Sequence, residues 1–358
     1  KFAEVTLAVF YHEKNANGEL VGGPMYYIKN GLSKKWHFLA YLFAAFGVLT
    51  VFGTGNATQV NTITTAVNSA LMNYHVISKD AIPTSNLIQG IIIAVLVALI
   101  LLGGVKRIAQ VTEKLVPFMA LFYIVLAIGV ILLNLNRIPS VFVSILEGAF
   151  RPSAVTGGIV GSMLMSVKKG VSRGIFSNES GLGSAPIAAA AAQTKEPVRQ
   201  GLVSMTGTFI DTIVICTMTG FSIVLTGAYT QGLEGVAVTA YAFQSGLPFS
   251  AKVCEGILML CLIFFAFTTI LGWDYYSERC LEYLTGGRMK AVKVYRWLYI
   301  LAVFIGPFLT VSAVWTIADI FNALMALPNL VAILALSGVV VAETRHYFKR
   351  LSEGSIRE

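Results

Sequence analysis

Apolar stretches long enough to cross roughly 30 Å of hydrocarbon recur from one end of this chain to the other. They run over Phe38–Leu71, Leu87–Leu102, Leu115–Leu133, a composite Val155–Thr194, Leu202–Leu225, Val253–Tyr276, Val294–Leu309 and Val314–Val341. Hydrophobic residues make up 56% of the 358 and charged residues only 12%, with a mean hydropathy of +0.74. A soluble domain carries about a quarter charged residues. Within lipid a helix satisfies its own peptide groups, so runs of this length read as crossing helices. The expected fold is an all-α polytopic membrane protein, one transmembrane domain over residues 1–358. The opening KFAEVTLAVFYHEK reads as the exit end of an earlier span. The chain is therefore expected to be an N-terminally truncated fragment with about eight complete crossings after a partial first helix. Pro328 makes the last run either one kinked crossing or two short ones.

Charge tests that order of crossings. If Tyr11–Trp36 is cytoplasmic, alternation also puts Gly103–Lys114, Lys195–Gln200, Ser277–Tyr295 with Arg296, and the tail after Val341 inside. Those segments hold eighteen of the 26 Lys and Arg residues. This is the asymmetry of the positive-inside rule. It accounts for the net charge of +8 without a nucleic-acid partner.

Several function classes find no support. Cys216, Cys254, Cys261 and Cys280 show no CxxC spacing and read as small buried hydrophobes. The four histidines are scattered, Gly53-Thr54-Gly55-Asn56 is no dinucleotide loop, and no phosphate-binding loop of an ATP-driven pump is present. A membrane-embedded enzyme would need a reactive constellation, which four dispersed aspartates do not supply. A channel would want rings of charge or a repeated filter.

The composite segment is the expected mechanistic centre. At about 1.5 Å per residue it is twice what one crossing needs. Ser140–Phe150 before it reads as an amphipathic helix on the outer surface, ended by Arg151-Pro152-Ser153. Gly170, Gly174, Gly181 and Gly183 punctuate GVSRGIFSNESGLG, and Ser184 with Pro186 resembles a fresh helix start. Two half-helices meeting at an unwound stretch are how secondary transporters build a midplane site. The positive end of the second half would face a carboxylate, and loose carbonyls of the first an ammonium group. Arg173 and Glu179 are expected to pair across the gap. The alternative is an ordinary crossing as far as Val167 followed by a cytoplasmic loop, which Lys168-Lys169 favours.

Two further spans carry unusual polar content. Asn56, Gln59 and Thr62 step by threes along one helix side, either lining a pocket or bonding to other helices. Thr268 and Thr269 offer neutral oxygens suited to a weakly held Na⁺, or else bond back to their own helix. Trp273, one turn on, walls a small pocket or anchors at the interface. Asp211 and Asp319 are intramembrane acids, proton carriers or hydrogen-bonded structural groups.

Four blocks carry a resemblance: RGIFSNESGLGSAPIAAAAAQT (Arg173–Thr194), GGPMYYIKNGL (Gly22–Leu32), FAFTTILGWDYYSERCLEYL (Phe265–Leu284) and VWTIADIFNALMALPN (Val314–Asn329). In this order across nearly the whole chain, they resemble the alanine or glycine:cation symporters, usually called sodium:alanine symporters. The resemblance implies a leucine-transporter-like fold of two inverted five-helix repeats. The first core helix and most of the second would be missing, and the eight crossings would be the third to tenth. It implies uptake of a small neutral amino acid, alanine or glycine, with Na⁺ as coupling ion, across the plasma membrane of a prokaryote. Proton coupling within the same fold and a cation channel are the alternatives.

The resemblance places Gly174, Ile175, Phe176, Ser177 and Asn178 in an unwound segment touching substrate, together with Gln59, Asn56, Thr269 and Trp273. It puts Thr268 and Thr269 at a sodium site and gives Arg173, Glu179 and Asp211 gating or structural roles. Ser180, Ala189 and Asp274 depart from the family pattern, which expects alanine, histidine and a small residue there, and Lys168-Lys169 is unexpected.

Overall fold

The computed structural model describes residues 1–150, 158–233 and 235–356. The expected stop at Arg151-Pro152-Ser153 and the first residues of the composite span lie outside them.

A short helix α1 (Phe2–Phe10) leads through a two-stranded antiparallel hairpin, Glu13–Lys14 with Leu20–Val21, to α2 (Pro24–Gly31). The first crossing, α3 (Lys34–Asn73), is followed by α4 (Lys79–Leu101) and α5 (Gly104–Leu133). A helix α6 (Ile138–Phe150) follows, covering the segment expected to be amphipathic. The composite segment becomes α7 (Gly158–Asn178) and α8 (Ala185–Ala189). Then come α9 (Pro197–Leu225), α10 (Val236–Gly246), α11 (Ala251–Leu284), α12 (Met289–Ile305), α13 (Val311–Ala335) and α14 (Ser337–Ser352).

Among the described residues seven helices are long and apolar enough to cross a membrane: α3, α4, the Arg107–Leu133 part of α5, α9, α11, Met289–Phe308 with α12, and α13. The interrupted α7–α8 pair is the eighth expected crossing. Pro328 leaves α13 a single helix. The outward faces confirm which solvent these helices meet. On α4, Ile88, Ile91, Ile92, Val95 and Leu99 are all exposed, a pattern at home against lipid tails.

Polar contacts between distant segments agree with the charge asymmetry. Arg279 meets Glu19 at 2.9 Å and Arg350 meets Glu196 at 2.6 Å, each pair joining segments assigned to the inside. Tyr74 donates to the Lys252 carbonyl at 2.6 Å and Asn86 to that of Pro307 at 3.0 Å, both pairs outside. No contact of this set joins opposite sides.

The core gathers around α3, which packs along α11 and α13. Glycines permit the approach: a Cβ at Gly47 would meet the Cys280 sulfur, one at Gly53 the Ala318 backbone, and one at Gly55 the Cβ of Trp273. The same stretch, Val51–Ala57, is wound as a π-helix, and a second π segment, Ile210–Cys216, interrupts α9. Such widened turns are frequent at functional sites. Cys254, Cys261 and Cys280 are buried free thiols as expected, whereas Cys216 is exposed.

Candidate functional site

The composite span is broken, but later than its glycines suggested. Gly170 and Gly174 lie inside α7, where nothing approaches within 4 Å of a Cβ added to either. The residues from Gly174 to Asn178 are therefore helical, not unwound. A glycine inside a helix costs only about 1 kcal/mol, which packing readily offsets. The backbone opens at Glu179 (φ +54°), Gly181 (φ +86°) and Gly183 (φ +84°). Only glycine adopts such angles freely, so a non-glycine there points to a side chain that is needed. Glu179 accepts from the Ser184 hydroxyl at 2.8 Å and lies within hydrogen-bonding reach of Trp273. Ser184 does precede the new helix, with Pro186 in its first turn. At five residues α8 is too short to present the strong dipole expected of it.

The break lies beside the middle of α9. Asp211 is fourteen residues from either end of α9 and accepts from the Ser177 hydroxyl at 2.8 Å. Asn178 donates to Thr212 at 3.0 Å, so the last turn of α7 is pinned to the π segment of α9.

A clamp on the opposite side has no counterpart in the sequence reading. Glu4 is 1% exposed; its Oε1 accepts from the Gly183 N–H at 3.1 Å and from Asn329 Nδ2 at 2.7 Å. The same amide donates to the Gly181 carbonyl at 2.9 Å, and its oxygen accepts from the Tyr27 hydroxyl. Three helices, α1, α2 and α13, thus grip the two glycines that carry the left-handed turns. With Ser180 N–H on the Asn178 side chain at 2.9 Å, much of the break is already satisfied. The expectation of bare amides waiting for a ligand is corrected: the loop is a fixed structure, and ligand contacts fall beside it.

Beside it lies a cavity of about 200 Å³ between α7 and α13, lined among others by Ile175, Phe176, Leu182, Asp319 and Asn322. Asn322 accepts from Thr54 at 3.0 Å, which ties this wall to the π segment of α3. At its rim Arg173 makes a two-point ion pair with Asp319, both contacts 3.0 Å, and its guanidinium stands 4.4 Å above Trp315. Phe176 packs on the same indole at 4.9 Å. The expected Arg173–Glu179 pair is thereby replaced: the planar fork of arginine is matched by Asp319, one helix away.

The remaining expected residues divide. Trp273 is buried and reaches the break through Glu179. Asn56 donates to the Tyr299 carbonyl at 3.0 Å, with its oxygen buried and unpartnered, and Gln59 donates to the Thr54 carbonyl at 3.1 Å. Thr268 and Thr269 bond back to Phe264 and Phe265 on their own helix, the outcome left open as the alternative. A hydroxyl donating this way still offers its lone pairs to a cation. Asp274 is wholly buried with neither carboxylate oxygen hydrogen-bonded.

The family described as "Sodium:alanine symporter family" matches residues 1–358. An "Uncharacterized transporter" of Haemophilus influenzae is 52% identical over 98% of this chain and 74% of its own length. "Sodium/alanine symporter AgcS" of Methanococcus maripaludis is 43% identical over 97% and 74%. "Probable sodium/glutamine symporter GlnT" of Bacillus subtilis is 38% identical over 99% and 70%. With crossing helices, an interrupted span and agreement along its full length, the chain belongs to the sodium:alanine symporter family, whose members are membrane transporters and not enzymes.

Proposed function

We propose that the protein couples inward Na⁺ movement to uptake of a small neutral amino acid, alanine or glycine, across the plasma membrane of a prokaryote. The observation that carries this reading is the break between α7 and α8, beside the middle of α9, with a small cavity next to it. Intramembrane charges such as Arg173 and Asp319 face a bundle interior or water, and both are about 40% exposed at the cavity rim. Charges exposed at that rim support an aqueous path along which a zwitterion would travel.

In this reading the last turn of α7 (Gly174, Ile175, Phe176, Ser177 and Asn178) borders the substrate, Ile175 and Phe176 from the cavity wall and Ser177 and Asn178 from the side held by α9. Trp273 serves as a wall, with Asn56 in the α3 π segment and Gln59 just after it. Thr268 and Thr269 supply hydroxyl oxygens to Na⁺. Glu179 and Asp211 fix the two sides of the break, and Arg173 with Asp319 latches α7 to α13. On this reading the helices make up a leucine-transporter-like core. The small cavity and the somewhat greater identity to the alanine-named relative than to the glutamine-named one, 43% against 38%, favour a short side chain.

Purified protein in liposomes should accumulate labelled alanine or glycine only under an inward Na⁺ gradient, and saturably. Uptake that ignores Na⁺, or flux proportional to concentration, overturns the proposal. Gly174→Leu is expected to abolish uptake while leaving expression intact: nothing lies within 4 Å of a Cβ added at Gly174, so a leucine is tolerated by the fold but fills space that this reading leaves to substrate. Normal alanine transport in that variant removes Gly174 from the site. Thr268→Val with Thr269→Val should raise the Na⁺ concentration for half-maximal uptake by roughly tenfold, about 1.4 kcal/mol. An unchanged Na⁺ response removes both from the ion site.

A further inference from the structure

At the outer ends of α3 and α11 there is a second cavity, of about 180 Å³, away from the break. Thr65, Ser69 and Asn73 of α3, Tyr241 and Gln244 of α10, and Glu255 of α11 line its polar side. Glu255 is only 6% exposed. Its two oxygens accept from one neutral group, the Asn73 amide, at 2.8 and 2.7 Å. Among the described residues no Lys, Arg or His forms an ion pair with it. Lys252, one turn earlier on the same helix, stands 5.9 Å over the Tyr74 ring instead. A buried carboxylate without a cationic partner costs several kcal/mol, and the space beside this one admits water or a small ligand.

We infer that this outer cavity is a second ligand site, in which Glu255 holds a monovalent cationic group: Na⁺ itself or the ammonium of a zwitterionic amino acid. Hydroxyl and amide groups of Thr65, Ser69, Tyr241 and Gln244 complete the ligand's shell, and Leu258, Met259 and Leu262 accept a short apolar side chain. The cavity is continuous in pattern with the central site. Gln59, Thr62, Ser69 and Asn73 fall on one face of regular helix, within about 80° of one another at 100° per residue. A ligand captured at Glu255 has a polar stripe to follow inward. The capture site stands on its own cavity and carboxylate; its place on an uptake path rests on the symporter reading.

Glu255→Gln tests it, since an amide keeps the shape and an acceptor for Asn73 while removing the charge. The melting temperature should not fall below the wild-type value, since the change removes an unpaired buried charge. If the ligand is Na⁺, the Na⁺ half-saturation of uptake rises roughly tenfold while the KM for alanine at saturating Na⁺ is unchanged. If it is the ammonium, the alanine KM at saturating Na⁺ rises by a similar factor. Either result supports the site and identifies its ligand. Ala237→Trp, which fills the cavity from α10, should raise the same constant. Wild-type constants in a correctly melting Glu255→Gln protein overturn the inference. If the wild type takes up neither amino acid, the symporter reading fails by itself. Equilibrium binding of radioactive Na⁺ and of labelled alanine then decides the site: a Glu255-dependent component of either supports it, and none overturns it.

Discussion

Gly183→Ala is expected to abolish uptake and to lower the melting temperature of the detergent-solubilised protein more than any other single alanine in the break. Gly183 holds φ +84°, and an added Cβ would come within 2.6 Å of both Phe43 and Pro24 and 3.0 Å of the Asn329 side chain. The left-handed backbone costs an L-residue about 1–2 kcal/mol. Overlap with buried neighbours adds about 1–3 kcal/mol. Together these approach a large share of the 5–15 kcal/mol that typically holds a protein folded. Phe43 is fully buried in the main core, so it has nowhere to retreat. Gly338→Ala is the comparison: it lies in α14 with nothing within 4 Å of its added Cβ and should melt like the wild type or slightly higher. Wild-type uptake by Gly183→Ala would show that the left-handed turn is dispensable.

The contrast between Gly183 and Gly174 also explains where reading the sequence succeeded and where it stopped. Apolar runs and the bias of lysine and arginine to alternate loops are properties of single segments. They located the seven long crossings and a sidedness that the Arg279–Glu19 and Arg350–Glu196 pairs respect. Which glycine breaks a helix is not such a property. Gly170 and Gly174 sit in open surroundings and stay helical, whereas Gly181 and Gly183 are held in left-handed turns by partners more than a hundred residues distant. Arg173 met the same limit. Glu179 was the nearest acid along the chain, but Asp319, 146 residues away, presents both oxygens to its fork. The two π segments left only a faint trace, glycines at 53 and 55 in one and an acid at 211 in the other. Glu4 gave none, being a lone charge in a short apolar helix until Asn329 is brought beside it.

Asn329→Ala is the second substitution expected to have a large effect, and its cause is separable. The amide of Asn329 serves Glu4, Gly181 and Tyr27 at once, so alanine removes the tie among α1, α13 and the break. Losing a hydrogen bond to a buried charged group costs about 1.5–3 kcal/mol, and a stranded carbonyl or hydroxyl adds about 1–3 kcal/mol. Uptake should fall below detection and the melting temperature should drop. Glu4→Gln by itself should be mild, because the amide oxygen still accepts from Gly183 and Asn329. Combining the two variants distinguishes a charged clamp from ordinary packing. If Asn329 matters chiefly as the donor to a buried carboxylate, Asn329→Ala should cost about 1–2 kcal/mol less in the Glu4→Gln background, where no charge is left stranded. Strict additivity of the two melting shifts would mean that Glu4 and Asn329 support the break independently, Glu4 through the Gly183 N–H and Asn329 through the Gly181 carbonyl.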